Sequence, residues 1–239
     1  MALGAILFDY NGVIIDDEPI HHRLLCEVLG EEGFSLDPEE AFDVFLGKPD
    51  RDCLVAAGQF QGRPFSDLEI RDLLARKSRK YRHLMEEGPV PLFKGVDRLV
   101  REAVTEGLPQ AICSGAQRAE IELTLAKVSL RNCFEVIVAA EDVDKGKPDP
   151  EGFLKALDRL NAHLEKSGTG STFRPIPPGA CLVIEDSPPG IEAARAGGMK
   201  CLAVATSLDP SRLTRADRVV ARLDGIGLSK LRSWFNDAG

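Results

Sequence analysis

Four groups of polar residues, far apart in the chain, each come after a short apolar run. Asp9 and Asn11 follow Ala5-Ile6-Leu7-Phe8. Ser114 and Gly115 follow the run Leu108 to Cys113. Lys147 sits in Lys145-Gly146-Lys147-Pro148-Asp149-Pro150, beyond the run Phe134 to Ala139. Glu185, Asp186 and Ser187 follow Ala180 to Ile184. Together they offer carboxylates, a hydroxyl and an ammonium, a set that suits phosphoryl transfer. Carboxylates suit Mg²⁺, which takes oxygen ligands in octahedral geometry and keeps waters for a substrate phosphate. A carboxylate can also be a nucleophile that forms an aspartyl-phosphate. A lysine and a hydroxyl can hold phosphoryl oxygens and offset their charge. Each residue taken singly has a plainer reading. Asp9 could cap a turn, Ser114 could be a turn residue, Lys147 a solvated charge, and Glu185-Asp186 the cap of a following helix. Their joint placement favours a site.

The elements that must position these groups are legible from periodicity. The apolar runs read as buried strands, joined by Lys200 to Ala205 and by Arg218 to Ala221 as a candidate last strand. Helical patterns alternate with them, at Gly95 to Ala103, Glu120 to Val128, Asp149-Pro150 through Leu160, and Ile191 to Ala196. Such alternation predicts right-handed βαβ units and a parallel sheet. Ligands bind at the carboxyl ends of such strands, where all four groups fall. The stretch after the first strand is different. Glu18 to Leu29 has helical spacing of Ile20, Leu24, Leu25, Val28 and Leu29. Asp37-Pro38 is a helix start, with Gly47 as a stop. Ser66-Asp67-Leu68-Glu69 is a capping box that opens a helix through Leu84, with Gly88 near its end. The expected class is therefore α/β, a doubly wound parallel-sheet core interrupted by an all-helical domain. The expected core is 1–16 with 92–239, and the helical insert is 17–91. Lys166 to Pro178, rich in Gly, Ser, Thr and Pro, reads as a surface loop.

Bulk properties narrow the function. A net charge of −8 over 239 residues argues against general binding to nucleic acid or anionic membranes. The run Ala5 to Phe8 is too short for a signal peptide or a membrane span. None of the six cysteines lies in a CxxC pair, so free thiols and a cytoplasmic setting are expected. His21, His22, His83 and His163 show no metal-ligand spacing.

With those residues in view, the chain resembles the haloacid dehalogenase superfamily, in the branch of β-phosphoglucomutase and phosphoglycolate phosphatase that carries a helical cap. The resemblance rests on Phe8-Asp9-Tyr10-Asn11-Gly12-Val13, Ser114, Lys147-Pro148-Asp149-Pro150, and Val183-Ile184-Glu185-Asp186-Ser187 running on to Gly197-Gly198-Met199. It implies a Rossmann-like core and a cap, here residues 17–91, that closes over substrate and excludes water. It implies Asp9 as nucleophile. It implies Mg²⁺ held by Asp9, the main-chain carbonyl of Asn11 and Asp186, with Glu185 close by or bound through water. Ser114, with Gly115 beside it, and Lys147 would hold the phosphoryl group, and Lys147 would also restrain Asp9. Gly47, Lys48 and Arg51 resemble the substrate loop of the cap, a looser match for which a solvated loop is the plain alternative. The implied partner is a small phosphorylated metabolite, a sugar phosphate or a two- or three-carbon acid, and the implied state is a monomer.

Asn11 departs from that pattern. Family phosphatases and mutases carry aspartate two residues after the nucleophile, where it protonates the leaving oxygen and then deprotonates the attacking water or hydroxyl. An amide has no titratable proton near neutral pH, and losing such a group costs roughly 10²–10⁴ in rate. The expectation is an Mg²⁺-dependent phosphatase with impaired turnover and a long-lived aspartyl-phosphate. A sugar-phosphate mutase, which needs the second aspartate twice, and a catalytically inactive binding or regulatory protein are the alternatives. Asn11 could be natural, an engineered ligand trap, or a deamidation site, since Gly12 leaves the following amide unshielded. Dehalogenase and phosphonate hydrolase branches also lack the second aspartate. Glu185-Asp186 preserves a metal pair and speaks against the former, and the context of Lys48 gives no support to the latter.

Overall fold

Every residue of β1 (Ala5–Phe8) is buried on both faces, which is why its sequence is continuously apolar rather than alternating. The computed structural model describes residues 2–35, 37, 45, 50–167 and 174–237. β1 pairs in parallel with β2 (Gln110–Cys113) on one side and β4 (Cys181–Glu185) on the other. β3 (Val136–Val138) extends the sheet beyond β2, and β5 (Lys200–Val204) and β6 (Arg218–Val220) extend it beyond β4. The order is β3-β2-β1-β4-β5-β6, so the order of crossovers reverses at β1, the position where doubly wound sheets open a ligand crevice. Leu7 aligns with Ala111 and Val183, and Phe8 with Ile112 and Ile184. The three central strand ends are therefore level.

Successive residues of a strand face opposite sides, and the packing follows that rule. Ala5 and Leu7 join Ala111, Val183 and Cys201 in a buried cluster. Phe153, Ala156 and Leu160 of one helix (Glu151–Ser167) and Ile191 and Ala194 of another (Pro188–Ala196) complete it. Phe8, of the other parity, meets Phe134 edge-on at 5.8 Å. In chain order the helices are α1 (Glu18–Glu31), α2 (Asp50–Phe60), α3 (Asp67–Glu87), α4 (Val96–Thr105), α5 (Arg118–Lys127), α6 (Glu151–Ser167), α7 (Pro188–Ala196) and α8 (Leu228–Asp237). α4 shows how these form. Val96, Leu99, Val100 and Ala103 are buried at the spacing of one helical face.

The chain divides into two compact units, Met1–Asp16 with Val90–Gly239, and Asp17–Pro89. The second unit holds α1 to α3, with no strand among its described residues. Its core gathers Leu25, Val28 and Leu29 of α1, Leu54 and Ala57 of α2, and Ile70 and Leu73 of α3. The Ser66–Glu69 capping box is formed reciprocally, and Gly88 ends the helix. The helix expected from Asp37-Pro38 to Gly47 falls largely outside the described residues.

Three helices differ most from expectation. α6 runs to Ser167 rather than Leu160, so the loop expected from Lys166 begins later. α7 starts at Pro188 rather than Ile191 because the Ser187 hydroxyl accepts the Gly190 N–H at 3.2 Å and proline suits the first helical position. α8 was not expected at all. Its buried residues, Leu228, Leu231 and Phe235, lie on one helical face, and its first N–H, at Leu228, is taken by the Glu102 carboxylate at 2.9 Å, a partner far away in sequence. Among the described residues, no helix is long and apolar enough to cross a membrane.

Candidate active site

The sheet ladder runs one rung past each central strand and so fixes the first polar residue beyond it. The Asp9 N–H donates to the Ile184 carbonyl at 2.9 Å, and the Ser114 N–H to the Val138 carbonyl at 2.9 Å. Glu185 is the last residue of β4, and Asp186 follows it. Lys147 comes from the loop ahead of α6, where the Lys147–Pro148 peptide is cis and the Asp149 N–H closes a turn onto the Gly146 carbonyl at 3.0 Å. Asp9, Ser114, Glu185 and Asp186 are all buried.

One ammonium joins two of the carboxylates. Lys147 Nζ donates to Asp9 Oδ1 and, at 2.6 Å, to Glu185 Oε1. It also lies 5.1 Å over the Phe153 ring. Glu185 Oε2 accepts the N–H groups of Asp186 and Ser187, each at 2.7 Å, and the Ser187 hydroxyl at 2.9 Å. Both Glu185 oxygens are thus occupied by protein donors. Two glycines make room for the acids. A Cβ on Gly190 would collide with the Glu185 carboxylate, and one on Gly12, which also has φ of +78°, would collide with that of Asp186.

Carboxylate oxygens of Asp9, Glu185 and Asp186 lie within 4.8 Å of one another. Burial raises the Asp9 pKa to about 7 against the opposing pull of Lys147, with Glu185 adding repulsion. Burial, then repulsion from Glu185 and Asp9, raises Asp186 to about 8, and a hydrogen bond from Ser207 works the other way. Burial disfavours charge on Lys147, but Asp9 and Glu185 outweigh it and hold its pKa well above the usual value. Three carboxylates beside one ammonium in a dry place cannot all ionise without uncompensated negative charge, which is why two of them hold their protons. Hard oxygen donors with excess negative charge suit a divalent cation of the Mg²⁺ type, so the residues present fit that ion.

Ser114 stands beside Asn11. Its hydroxyl accepts the Ala116 N–H at 3.0 Å and donates to Asn11 Oδ1 at 3.5 Å. Gly115 is in the same bend, with open space where a Cβ would be. Asn11 enters a turn in which the Gly12 N–H donates to the Ile15 carbonyl at 3.0 Å and the Ile14 N–H to the Tyr10 carbonyl at 2.8 Å. The structure therefore brings together Asp9, Asn11, Ser114, Lys147, Glu185 and Asp186. Arg51 is on α2 in the other unit, where its guanidinium pairs with Asp67 at 2.6 Å. Gly47 and Lys48 lie outside the described residues.

Two sets of residues were missed from sequence. Thr206 and Ser207, just after β5, reach the same strand edge. Thr206 Oγ1 donates to the Gly12 carbonyl at 2.5 Å, and Ser207 bonds Asp186. The strand-end rule that singled out the other four groups applies to β5 equally. In the helical unit, Tyr81 donates to Asp17 Oδ2 at 2.6 Å, and His21 Nε2 lies 3.1 Å from the same oxygen. Lys77 bonds both His21 Nδ1 and Asp50. Asp17, the residue just before α1, is four from His21, and Lys77 is four from Tyr81 on α3. That spacing is the signal, because residues four apart share a helix face.

A family model described as haloacid dehalogenase-like hydrolase matches residues 3–198. Protein CbbY of Rhodobacter capsulatus is 29% identical over 222 residues, covering 91% of this chain and 89% of that protein. Fructose-1-phosphate phosphatase YqaB of Escherichia coli K12 is 31% identical over 203 residues, covering 84% of this chain and 96% of that protein. The crystal structure of CbbY from Rhodobacter sphaeroides in complex with phosphate superposes with a TM-score of 0.77 at 25% identity, covering 97% of this chain and 99% of that one. The family match spans every strand end that builds the acidic cluster, and on that match the chain belongs to the haloacid dehalogenase-like hydrolases.

Proposed function

We propose that this chain is an Mg²⁺-dependent phosphatase of a small phosphorylated metabolite, with Asp9 as nucleophile. The observation that carries the reading is the Lys147 ammonium joined to two of three clustered, buried carboxylates at the carboxyl edge of the sheet. The likeness to a fructose-1-phosphate phosphatase supports a sugar phosphate as the substrate class. Asp9 and Asp186 are the proposed direct Mg²⁺ ligands, with the Asn11 carbonyl. Glu185, its oxygens already engaged, is the proposed anchor for Lys147. When bound, the ion would offset phosphoryl charge.

The Asp9 carboxylate attacks phosphorus. An Asp9 O–P bond forms, the bond to the substrate oxygen breaks, and that oxygen takes a proton from solvent. The Ser114 hydroxyl and the Lys147 ammonium hold the phosphoryl oxygens. Water then attacks the same phosphorus, one of its protons passes to solvent and the other stays on the phosphate, the Asp9 O–P bond breaks, and inorganic phosphate leaves. The Asn11 amide can hydrogen-bond in both steps but carries no proton between them. The second step is therefore the slow one, and the phosphorylated chain accumulates.

Asn11 also favours a second reading, a protein that binds the phosphorylated ligand and does not turn it over. A phosphate-release panel of sugar phosphates and short phospho-acids with Mg²⁺ decides. The unchanged chain, Asn11→Asp and Asp9→Ala are compared. Slow release that vanishes in Asp9→Ala supports the phosphatase. Binding with no release at high protein concentration supports the binder.

A further inference from the structure

The residues that build the acidic cluster come from β1, β4 and the loop before α6, yet the loop after β5 also ends there. Its first polar residues, Thr206 and Ser207, are half-buried. The Thr206 hydroxyl donates to the Gly12 carbonyl at 2.5 Å, one residue past Asn11. The Ser207 side chain hydrogen-bonds the Asp186 carboxylate. The two contacts converge on one spot. A Cβ on Gly12 would meet Asp186 first and the Ser207 oxygen next, at 3.0 Å. Three backbone turns, after β1, β4 and β5, are thus stitched together by two hydroxyls.

From this geometry we infer that Thr206 and Ser207 are positioning residues for the cation site, Ser207 by orienting the Asp186 carboxylate and Thr206 by holding the turn that presents the Asn11 carbonyl. The inference rests on the reading that Asp9, Asp186 and Asn11 hold Mg²⁺. Neither hydroxyl is a ligand itself. Each acts through a ligand-bearing segment, as partners behind a ligand do when they fix its direction before the ion arrives.

Mg²⁺ affinity of the full chain, without substrate, tests this by calorimetric titration and by the Mg²⁺-induced rise in thermal midpoint. Ser207→Ala should weaken binding by roughly 10–100-fold, the usual cost of losing such a partner. Thr206→Val, which keeps the shape and drops the hydroxyl, should weaken it in the same direction. Ser207→Thr and Thr206→Ser keep the hydroxyl and should restore affinity, which a purely structural role does not predict. If one variant fails to fold, the other decides. Asp186→Asn separates the two levels. If the unchanged chain binds, Asp186→Asn binds weakly, and both hydroxyl variants bind like the unchanged chain, the positioning role is overturned and the metal reading stands. If the unchanged chain does not bind Mg²⁺, both fall.

Discussion

The Ser114 hydroxyl lies 3.5 Å from the Asn11 amide oxygen. A group proposed to hold the phosphoryl oxygens therefore stands next to the residue that cannot shuttle a proton. Asn11→Asp places a titratable group in that position. Phosphate release in Mg²⁺ should rise by roughly 10²–10⁴-fold, the usual worth of general acid–base catalysis. A steady-state assay reads it, and an unchanged rate would remove Asn11 as the limiting residue.

Lys147 is the one cation seen bonded to both Asp9 and Glu185 among the described residues. Lys147→Ala leaves those buried carboxylates without it, at a cost on the order of 3 kcal/mol, because breaking a buried pair strands its charge. Phosphate release should fall as well. Lys147→Arg keeps the charge but not the compact ammonium, so it should recover stability better than activity. Denaturant melts alongside the release assay separate the two.

The raised acids make the metal-free chain sensitive to pH. Asp9 and Asp186, at about 7 and about 8 when folded, keep protons that an unfolded carboxyl releases near its ordinary 3.8. The folded state then binds more protons than the unfolded one, so stability without metal falls as pH rises from roughly 4 through 8. Mg²⁺ binding at the proposed site would displace those protons. Its stabilising shift in thermal midpoint should be larger at pH 8 than at pH 6, and chelator should abolish the difference. A shift that shrinks with rising pH would contradict this.

Gly190 sits at the start of α7 where the Glu185 carboxylate occupies the space of a Cβ. Gly190→Ala should destabilise by roughly 1–3 kcal/mol through overpacking, although alanine ordinarily favours a helix. Because Glu185 would be pushed off Lys147, activity should fall more than stability alone explains. Melting and kinetics of the same preparation test both.

The parallel sheet and the convergence of strand ends were legible because a strand buried on both faces leaves an uninterrupted apolar run, and the first polar residue after it marks the edge. That logic reached Asp9, Ser114 and Asp186. It applies equally to Thr206 and Ser207 after β5, but the bonds these residues make to Gly12 and Asp186 depend on how three loops meet. The Glu185–Lys147 bond was equally hidden, since adjacent acids look alike in sequence and only the fold gives one an ammonium and the next a hydroxyl. α8 does have a local signature, Leu228, Leu231 and Phe235 on one helical face, so only the Glu102 contact at its N-terminus depends on the fold.

The central claim is that Asp9 takes up a phosphoryl group and, with asparagine at position 11, gives it up slowly. The most direct measurement is the intact mass of the chain, followed by peptide mapping, after incubation with Mg²⁺ and a reactive phosphoryl donor such as acetyl phosphate. The account predicts one added phosphoryl group on the peptide carrying Asp9, absent from Asp9→Ala and shorter-lived in Asn11→Asp. No added mass on that peptide in Mg²⁺, or the same added mass in Asp9→Ala, would contradict it.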